Sequence, residues 1–313
     1  MKIGFLFPGQ GSQSIGMGKD IYEQYKAGKN VYDKVKEITG IDIANISFEG
    51  PEEILNKTKY AQLAILTMSL AIVEILKEND IVCEISAGLS LGEYTALINS
   101  EIISFEDGIR LVQKRGEFMQ ELLPKGDWKM AAILGMKEEQ VVEACKKVNS
   151  GFVVPANYNS VGQVVISGEG EAVLEAEQIA KEMGAKKVVV LKTAGPFHTE
   201  KLMEASNALR KELENITINK FKSKVIKNID GEEYSDTENI KDILAKHIVS
   251  PVRFSKSLEN MIEAGIDTFV EIGPGKTLSG FLKRIPTDKK IKILNIDNVS
   301  NLEVTIKSIK EEE

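Results

Sequence analysis

IVCEISAGLSLGEYTALINS, residues 81–100, is the stretch whose reading decides the fold. IVCEISAG is a short apolar run rich in β-branched residues and reads as a strand. Gly88-Leu89-Ser90-Leu91-Gly92 is compact enough for a sharp turn, and a helical run begins at Leu91. A strand that feeds a tight turn into a helix is the basic unit of an α/β protein. The same alternation recurs on either side. KIGFLF, from Lys2, opens the chain as a strand, helical segments run on to Asn79, and a further helix starts at Ser104. FVEI from Phe269 and IKILNI from Ile291 are later strands, each followed by helical sequence.

Between Trp128 and Leu191 the order changes. WKMAAIL reads as strand, KEEQVVEACKKV as helix, FVVPANY and QVVISG as strands, EAVLEAEQIAKEMG as helix and KKVVVL as strand. That order, β-α-β-β-α-β, is ferredoxin-like. Gly126-Asp127 and Ala194-Gly195-Pro196 are the expected crossing points. The expected architecture is therefore an α/β-hydrolase-like catalytic domain, residues 1–125 and 195–313, with a ferredoxin-like subdomain inserted at 126–194. The cleft between them is the natural ligand site.

Composition narrows the function. The 313 residues carry a formal net charge of −7, the opposite of the basic excess of a nucleic-acid binder. Cys83 and Cys145 have neither CxxC spacing nor a neighbouring histidine, so neither a disulfide nor a zinc site is expected. Ala61–Leu76 is the longest apolar stretch, but Gln62, Thr67, Ser69 and Glu74 interrupt it. It falls short of a membrane span and reads as a helix buried on most faces. With no export signal visible, the expected location is the cytoplasm.

Gly88–Gly92 fits G-x-S-x-G in the strand–turn–helix context that a nucleophile elbow requires. The glycines permit the sharp turn, and Ser90 then stands at a helix N-terminus, where backbone N–H groups favour developing negative charge. The N–H of Leu91 is the expected oxyanion donor. A serine needs a base, and the chain has two histidines. His198 lies in a loop, Gly-Pro-Phe-His-Thr, just after the strand KKVVVL, and is the better candidate. His247 ends the helical stretch NIKDILAKHIV, where a charge complementing the helix dipole is the plainer reading. No Asp or Glu stands out as a third triad member, and a backbone carbonyl serves equally well to orient the imidazole.

The helix from Ser104 to Leu123 carries an anomaly. Phe105, Leu111, Val112, Phe118, Met119 and Leu122 share one arc at 100° per residue, and Arg115 sits at its centre. A guanidinium aimed at the core must meet an anion. Periodicity leaves two partners open, an internal carboxylate or a carboxylate on the substrate. Two glycine-rich segments invite a nucleotide reading and fail it. Phe7–Gly18 has serine where the dinucleotide fingerprint needs its third glycine, and GPGKT, residues 273–277, has Val270 where a P-loop begins with glycine.

FPGQGSQ, GLSLGEY, QKRGEFMQ, ANYNSVGQVVISG, GPFH, SPVRF and EIGPGKTLSG, in this order and spanning nearly the whole chain, resemble the malonyl-CoA:acyl carrier protein transacylases of fatty-acid synthesis. The resemblance implies a ping-pong transfer in which Ser90 is acylated and His198 is the base. It implies that Gln10 completes the oxyanion hole with Leu91 through backbone N–H groups, and that the main-chain carbonyl of His247 orients His198. Arg115 would hold the malonyl carboxylate, and Phe197 would limit acyl size. The partners implied are malonyl-CoA and a holo acyl carrier protein, with no metal or redox cofactor; the charge and the interrupted apolar stretch lead to no expected nucleic-acid or membrane partner, and a monomer is the default expectation. Two positions depart from the pattern. Leu89 stands where the family has histidine, and Val161 where proline is common. The rival readings are a serine hydrolase using the same elbow and a nucleotide-binding module built on GPGKT.

Overall fold

The computed structural model describes residues 1–192, 195–236 and 238–312. Nine strands occur among them: β1 Ile3–Phe7, β2 Ile85–Gly88, β3 Trp128–Leu134, β4 Val153–Ser160, β5 Gln163–Glu169, β6 Lys187–Val190, β7 Lys224–Val225, β8 Thr268–Ile272 and β9 Lys292–Ile296. They form two sheets. One is five-stranded in the order β7-β2-β1-β8-β9 and wholly parallel; the other is four-stranded in the order β4-β5-β3-β6 and antiparallel.

Parallel strands need crossovers that cover both faces, so the central strands are buried on both sides. β1 and β8 show this, since every residue in each is buried. IVCEISAG pairs only from Ile85, because its partner β1 begins at Ile3 and the register sets Gly4 opposite Ile85. The antiparallel sheet is packed on both faces: Ile133, Val164 and Ile166 pack against Val141, Val173 and Ala176 of the two helices Glu138–Lys146 and Gly170–Glu182, while Met130, Ala132 and Val165 join the main core. The sequence-predicted order of elements from Trp128 to Val190 is the observed one. Ala194, one of the expected crossing points, lies outside the described residues.

Ala61–Leu76 lies within a 21-residue helix, Thr58–Glu78, long and apolar enough by composition to cross a membrane. Its apolar window is 83% buried inside the protein, so its surface is already committed to the core. The antiparallel sheet is tied to the segment before the helix Phe254–Glu263 where Asn157 of β4 bridges Val252, with Tyr158 N–H donating to the Val252 carbonyl at 2.8 Å. Arg253 stacks on the Tyr158 ring at 3.9 Å. This seam closes one side of a cleft whose floor is the C-terminal end of β2, where ligands bind in parallel α/β sheets.

Candidate active site

β2 ends at Gly88, and the helix Leu91–Asn99 starts at once. Ser90, between them, adopts φ 54° and ψ −101°, a strained conformation for a residue with a side chain. The neighbouring glycines are required by proximity. A Cβ on Gly88 would lie 1.9 Å from the Gly92 carbonyl carbon, and one on Gly92 would lie 2.0 Å from the Phe7 carbonyl oxygen. Asn228 holds the turn from the side. Its Oδ1 accepts from Ser90 N–H at 2.7 Å, and its Nδ2 donates to the Gly88 carbonyl at 2.7 Å.

Ser90 Oγ is 2.8 Å from His198 Nε2. His198 Nδ1 faces two carbonyls, those of His247 at 3.1 Å and Ser250 at 3.2 Å. Carbonyl oxygens only accept, so the ring proton sits on Nδ1 and Nε2 is left to take the proton of Ser90. His198 is also at positive φ, 60°. Burial, with Arg115 adding to it, pushes its pKa down to about 4, although the two carbonyls pull the other way. The imidazole is therefore neutral at neutral pH, the form a general base needs.

Arg115 is 1% exposed. Its Nη2 donates to Ser90 Oγ at 3.1 Å and its Nη1 to Gln62 Oε1 at 2.6 Å, while its Nε has no acceptor. The guanidinium lies over the Tyr94 ring at 5.0 Å. Among the described residues no carboxylate stands within 4.0 Å of it. The internal-carboxylate alternative thus finds no direct ion pair, and a buried cation is left facing the nucleophile.

Gln10 lies on the loop after β1 and lines a cavity of about 130 Å³ together with Ser90, His198 and Phe197. Gly9 lets that loop touch the elbow, since a Cβ there would be 2.4 Å from the Leu89 carbonyl oxygen. The Gln10 side chain is held by the helix Thr58–Glu78, donating to Thr58 Oγ1 at 3.3 Å and accepting from Gln62 Nε2 at 3.3 Å. Leu91 is the first residue of its helix, so its N–H has no acceptor within that helix. Phe197, with Met119, Met130 and Leu191, gives the cavity an apolar wall. Leu89 borders this cavity and a larger outer cleft of about 410 Å³ that opens beside it. Val161 is 46% exposed, away from the serine, and lines neither space.

The ring of His247 is not the helix-end charge that its position invited. It is fully buried, and burial first, then His198 and Arg115, hold its pKa well below the ordinary value, so it carries no charge to complement the dipole. The residues missed by sequence reasoning are Gln62, Asn228, Ser250 and Glu93. Gln62 had a signal, a polar side chain interrupting an otherwise apolar buried helix. Glu93 sits inside the quoted GLSLGEY and is wholly buried, accepting from the Tyr234 hydroxyl and from Asn228 N–H at 2.9 Å.

GPGKT forms the turn between β8 and the helix Thr277–Leu282. The N–H groups of Leu278 and Ser279 donate to the Glu271 carboxylate at 2.9 and 2.7 Å. An internal carboxylate occupies the place where a phosphate would have to bind.

Comparison with known proteins identifies the family of the chain. The family described as acyl transferase domain matches residues 4–300. A Bacillus subtilis malonyl CoA-acyl carrier protein transacylase is 42% identical over 99% of this chain and 98% of its own length. The crystal structure of the transacylase of the same name from Clostridium perfringens superposes with a TM-score of 0.94 at 45% identity, covering 100% of this chain and 98% of that one. A malonyl-transacylase solved in complex with its type II polyketide synthase acyl-carrier protein gives a TM-score of 0.94 at 35% identity, covering 98% of this chain and 100% of that one.

Proposed function

The chain belongs to the acyl transferase domain family, and from that premise we propose that it transfers the malonyl group of malonyl-CoA to the phosphopantetheine thiol of an acyl carrier protein, supplying fatty-acid synthesis. The observation that carries the proposal is the convergence on one hydroxyl of a neutral base and a buried cation with no direct ion pair among the described residues, at 2.8 Å for His198 and 3.1 Å for Arg115. The base supports acyl transfer through serine, and the cation supports an acyl group that ends in a carboxylate.

The reaction runs in two halves. Ser90 Oγ attacks the thioester carbonyl of malonyl-CoA as His198 Nε2 takes its proton. The backbone N–H groups of Leu91 and Gln10 stabilise the tetrahedral oxyanion. The C–S bond breaks, His198 returns the proton to the departing CoA thiolate, and malonyl-Ser90 remains. The carrier thiol then attacks this ester, His198 accepts its proton and passes it to Ser90 Oγ, and malonyl leaves on the carrier. Arg115, steadied by Gln62, holds the malonyl carboxylate through both halves. The carbonyl of His247, with that of Ser250, keeps the imidazole in the required tautomer. Phe197 closes the acyl cavity against branched groups. The chemistry needs no cofactor.

The architecture that serves this reaction is, in our reading, an α/β-hydrolase-like unit of residues 1–125 and 195–313 with a ferredoxin-like unit at 126–194. The order β4-β5-β3-β6 of the antiparallel sheet supports the second assignment. The protein works as a monomer in the cytoplasm, without nucleic acid or membrane.

Intact-mass spectrometry after mixing with malonyl-CoA tests the proposal. One malonyl adduct is expected, absent from Ser90→Ala and discharged by holo carrier protein. Release of free malonate without a stable adduct would make the protein a hydrolase and overturn the proposal.

A further inference from the structure

Behind the elbow lies a set of buried ionisable groups that the transfer does not consume. The mechanism uses only the carbonyl of His247, which any residue would supply. Its ring is wholly buried, and neither Nδ1 nor Nε2 has a hydrogen-bond partner. Leaving a buried polar group unpaired costs about 1–3 kcal/mol, so an apolar side chain would be the cheaper filler. The ring packs between Tyr94, centroid 6.4 Å away, and His198, centroid 5.2 Å away. Its nearest carboxylate is Glu93, with 3.6 Å between Nδ1 and Oε2.

Glu93 is the start of a chain that ends at the nucleophile. Its Oε2 accepts from Asn228 N–H at 2.9 Å, and the Asn228 side chain in turn fixes Ser90 N–H and the Gly88 carbonyl, each at 2.7 Å. The strained backbone of Ser90 is therefore braced from Glu93. The base is braced from the His247 carbonyl at 3.1 Å. One residue, His247, touches both braces.

We propose that the His247 ring, as its Nδ1–H tautomer, is a positioning group that donates to the Glu93 carboxylate, tying the brace of Ser90 to the brace of His198. The gap seen here closes with a movement well under 1 Å, of the kind by which catalytic hydrogen bonds tighten once substrate is bound. The inference rests on Ser90 being the acylated nucleophile. Because an ionised acceptor makes a stronger hydrogen bond than a protonated one, the lock also predicts a pH response. Tyr234, Arg115 and Asp230 face Glu93, and His198, Arg115 and Tyr94 face His247. Among them Glu93 changes charge near neutrality, burial having pushed its pKa up to about 7. The lock is strong above that pH and weak below it.

The test is the rate of malonyl adduct formation from malonyl-CoA, followed by rapid-quench intact mass from about pH 5 to about pH 9, for the wild type and three variants. The wild-type rate is expected to step up several-fold as pH rises through about 7. His247→Phe should lose the step and acylate on the order of tenfold more slowly at high pH, with half-saturating malonyl-CoA unmoved. His247→Gln, which keeps an N–H donor, should recover most of that loss and retain the step. A folded His247→Phe with wild-type rate and step would overturn the proposal. Should the phenylalanine variant not fold, Glu93→Gln decides: its amide cannot ionise, so a step that persists in it overturns the proposal. A wild type that forms no adduct at any pH would instead overturn the assignment of Ser90, and this proposal with it.

Discussion

Arg115 Nη2 donates to Ser90 Oγ at 3.1 Å, so the cation proposed to hold the substrate rests on the nucleophile itself. That hydroxyl therefore donates to His198 and accepts from Arg115, and its hydrogen-bonding is directed before substrate arrives. A carboxylate entering the cavity is the natural partner for a buried guanidinium whose Nε has no acceptor.

Replacing that guanidinium should change which thioesters react. Truncating one partner of a buried, hydrogen-bonded charge pair costs about 2–5 kcal/mol, or about thirtyfold to several-thousandfold in rate or affinity. Arg115→Ala is expected to acylate from malonyl-CoA at least about a hundredfold more slowly, with the preference for malonyl over acetyl lost. Arg115→Lys should restore little, because an ammonium cannot offer two parallel N–H groups. Competing malonyl- and acetyl-CoA in one intact-mass experiment reads both outcomes.

The pH profile of acylation follows from His198. Its folded pKa is depressed to about 4 from an ordinary 6.5, so the base stays neutral down to that range. Below the several-fold step that Glu93 sets near pH 7, the remaining activity per free enzyme should thus persist and collapse only near about 4, measured as kcat/KM against pH. Arg115 is the second cause of the depression, after burial. Arg115→Ala should move the acid limb upward, toward the ordinary histidine value. An acid limb that stays in place would show that burial alone sets it.

Ser90, His198 and Arg115 were legible in the sequence for different reasons. The elbow is a local motif whose glycines are demanded within a few residues. His198 came from having only two histidines to choose between, and Arg115 from a charge on an apolar helical face. The strand order of the parallel sheet was not legible, because β1 sits between β2 and β8, which are distant in sequence and joined only by register. Asn228 was invisible for the same reason. It meets Ser90 across 138 residues, and nothing in KNIDGEE marks the side chain that completes the elbow. Glu93 was in view as one letter of a motif, yet its role depends on Tyr234 and Asn228, which close over it only in the folded chain.

The two glycine classes should separate cleanly on stability. A Cβ on Gly92 would stand 2.0 Å from the Phe7 carbonyl oxygen, a backbone atom of the central strand that cannot move alone. Gly92→Ala should therefore cost about 3 kcal/mol or more in denaturant unfolding, an overpacking penalty at the upper end of the usual range. Gly280 lies in the helix Thr277–Leu282 with open space around its Cβ position. Gly280→Ala should stabilise by about 0.5–1 kcal/mol through helix propensity and lower unfolded-state entropy. Equal midpoints for the two variants would contradict the packing described at the elbow.

Glu93 supplies a stability test with a defined sign. Its folded pKa is raised from 4.5 to about 7, chiefly by burial, which penalises the charged form. A group whose pKa is raised on folding contributes stability that is complete below the unfolded value and lost as pH climbs through the folded one. Wild-type stability should therefore fall between about pH 4.5 and about pH 7 by an amount that Glu93→Gln does not show. The difference is on the order of 3 kcal/mol at most, taking 1.36 kcal/mol per pKa unit. His198 acts in the opposite direction over part of this range. Its depressed pKa makes stability present above about 6.5 and lost as pH falls toward about 4. The wild type carries both contributions and the Glu93→Gln variant only the second. Subtracting the two unfolding curves at each pH isolates the carboxylate, and a difference that does not change between pH 4.5 and 7 would mean that Glu93 is already ionised in the folded protein at the lower pH.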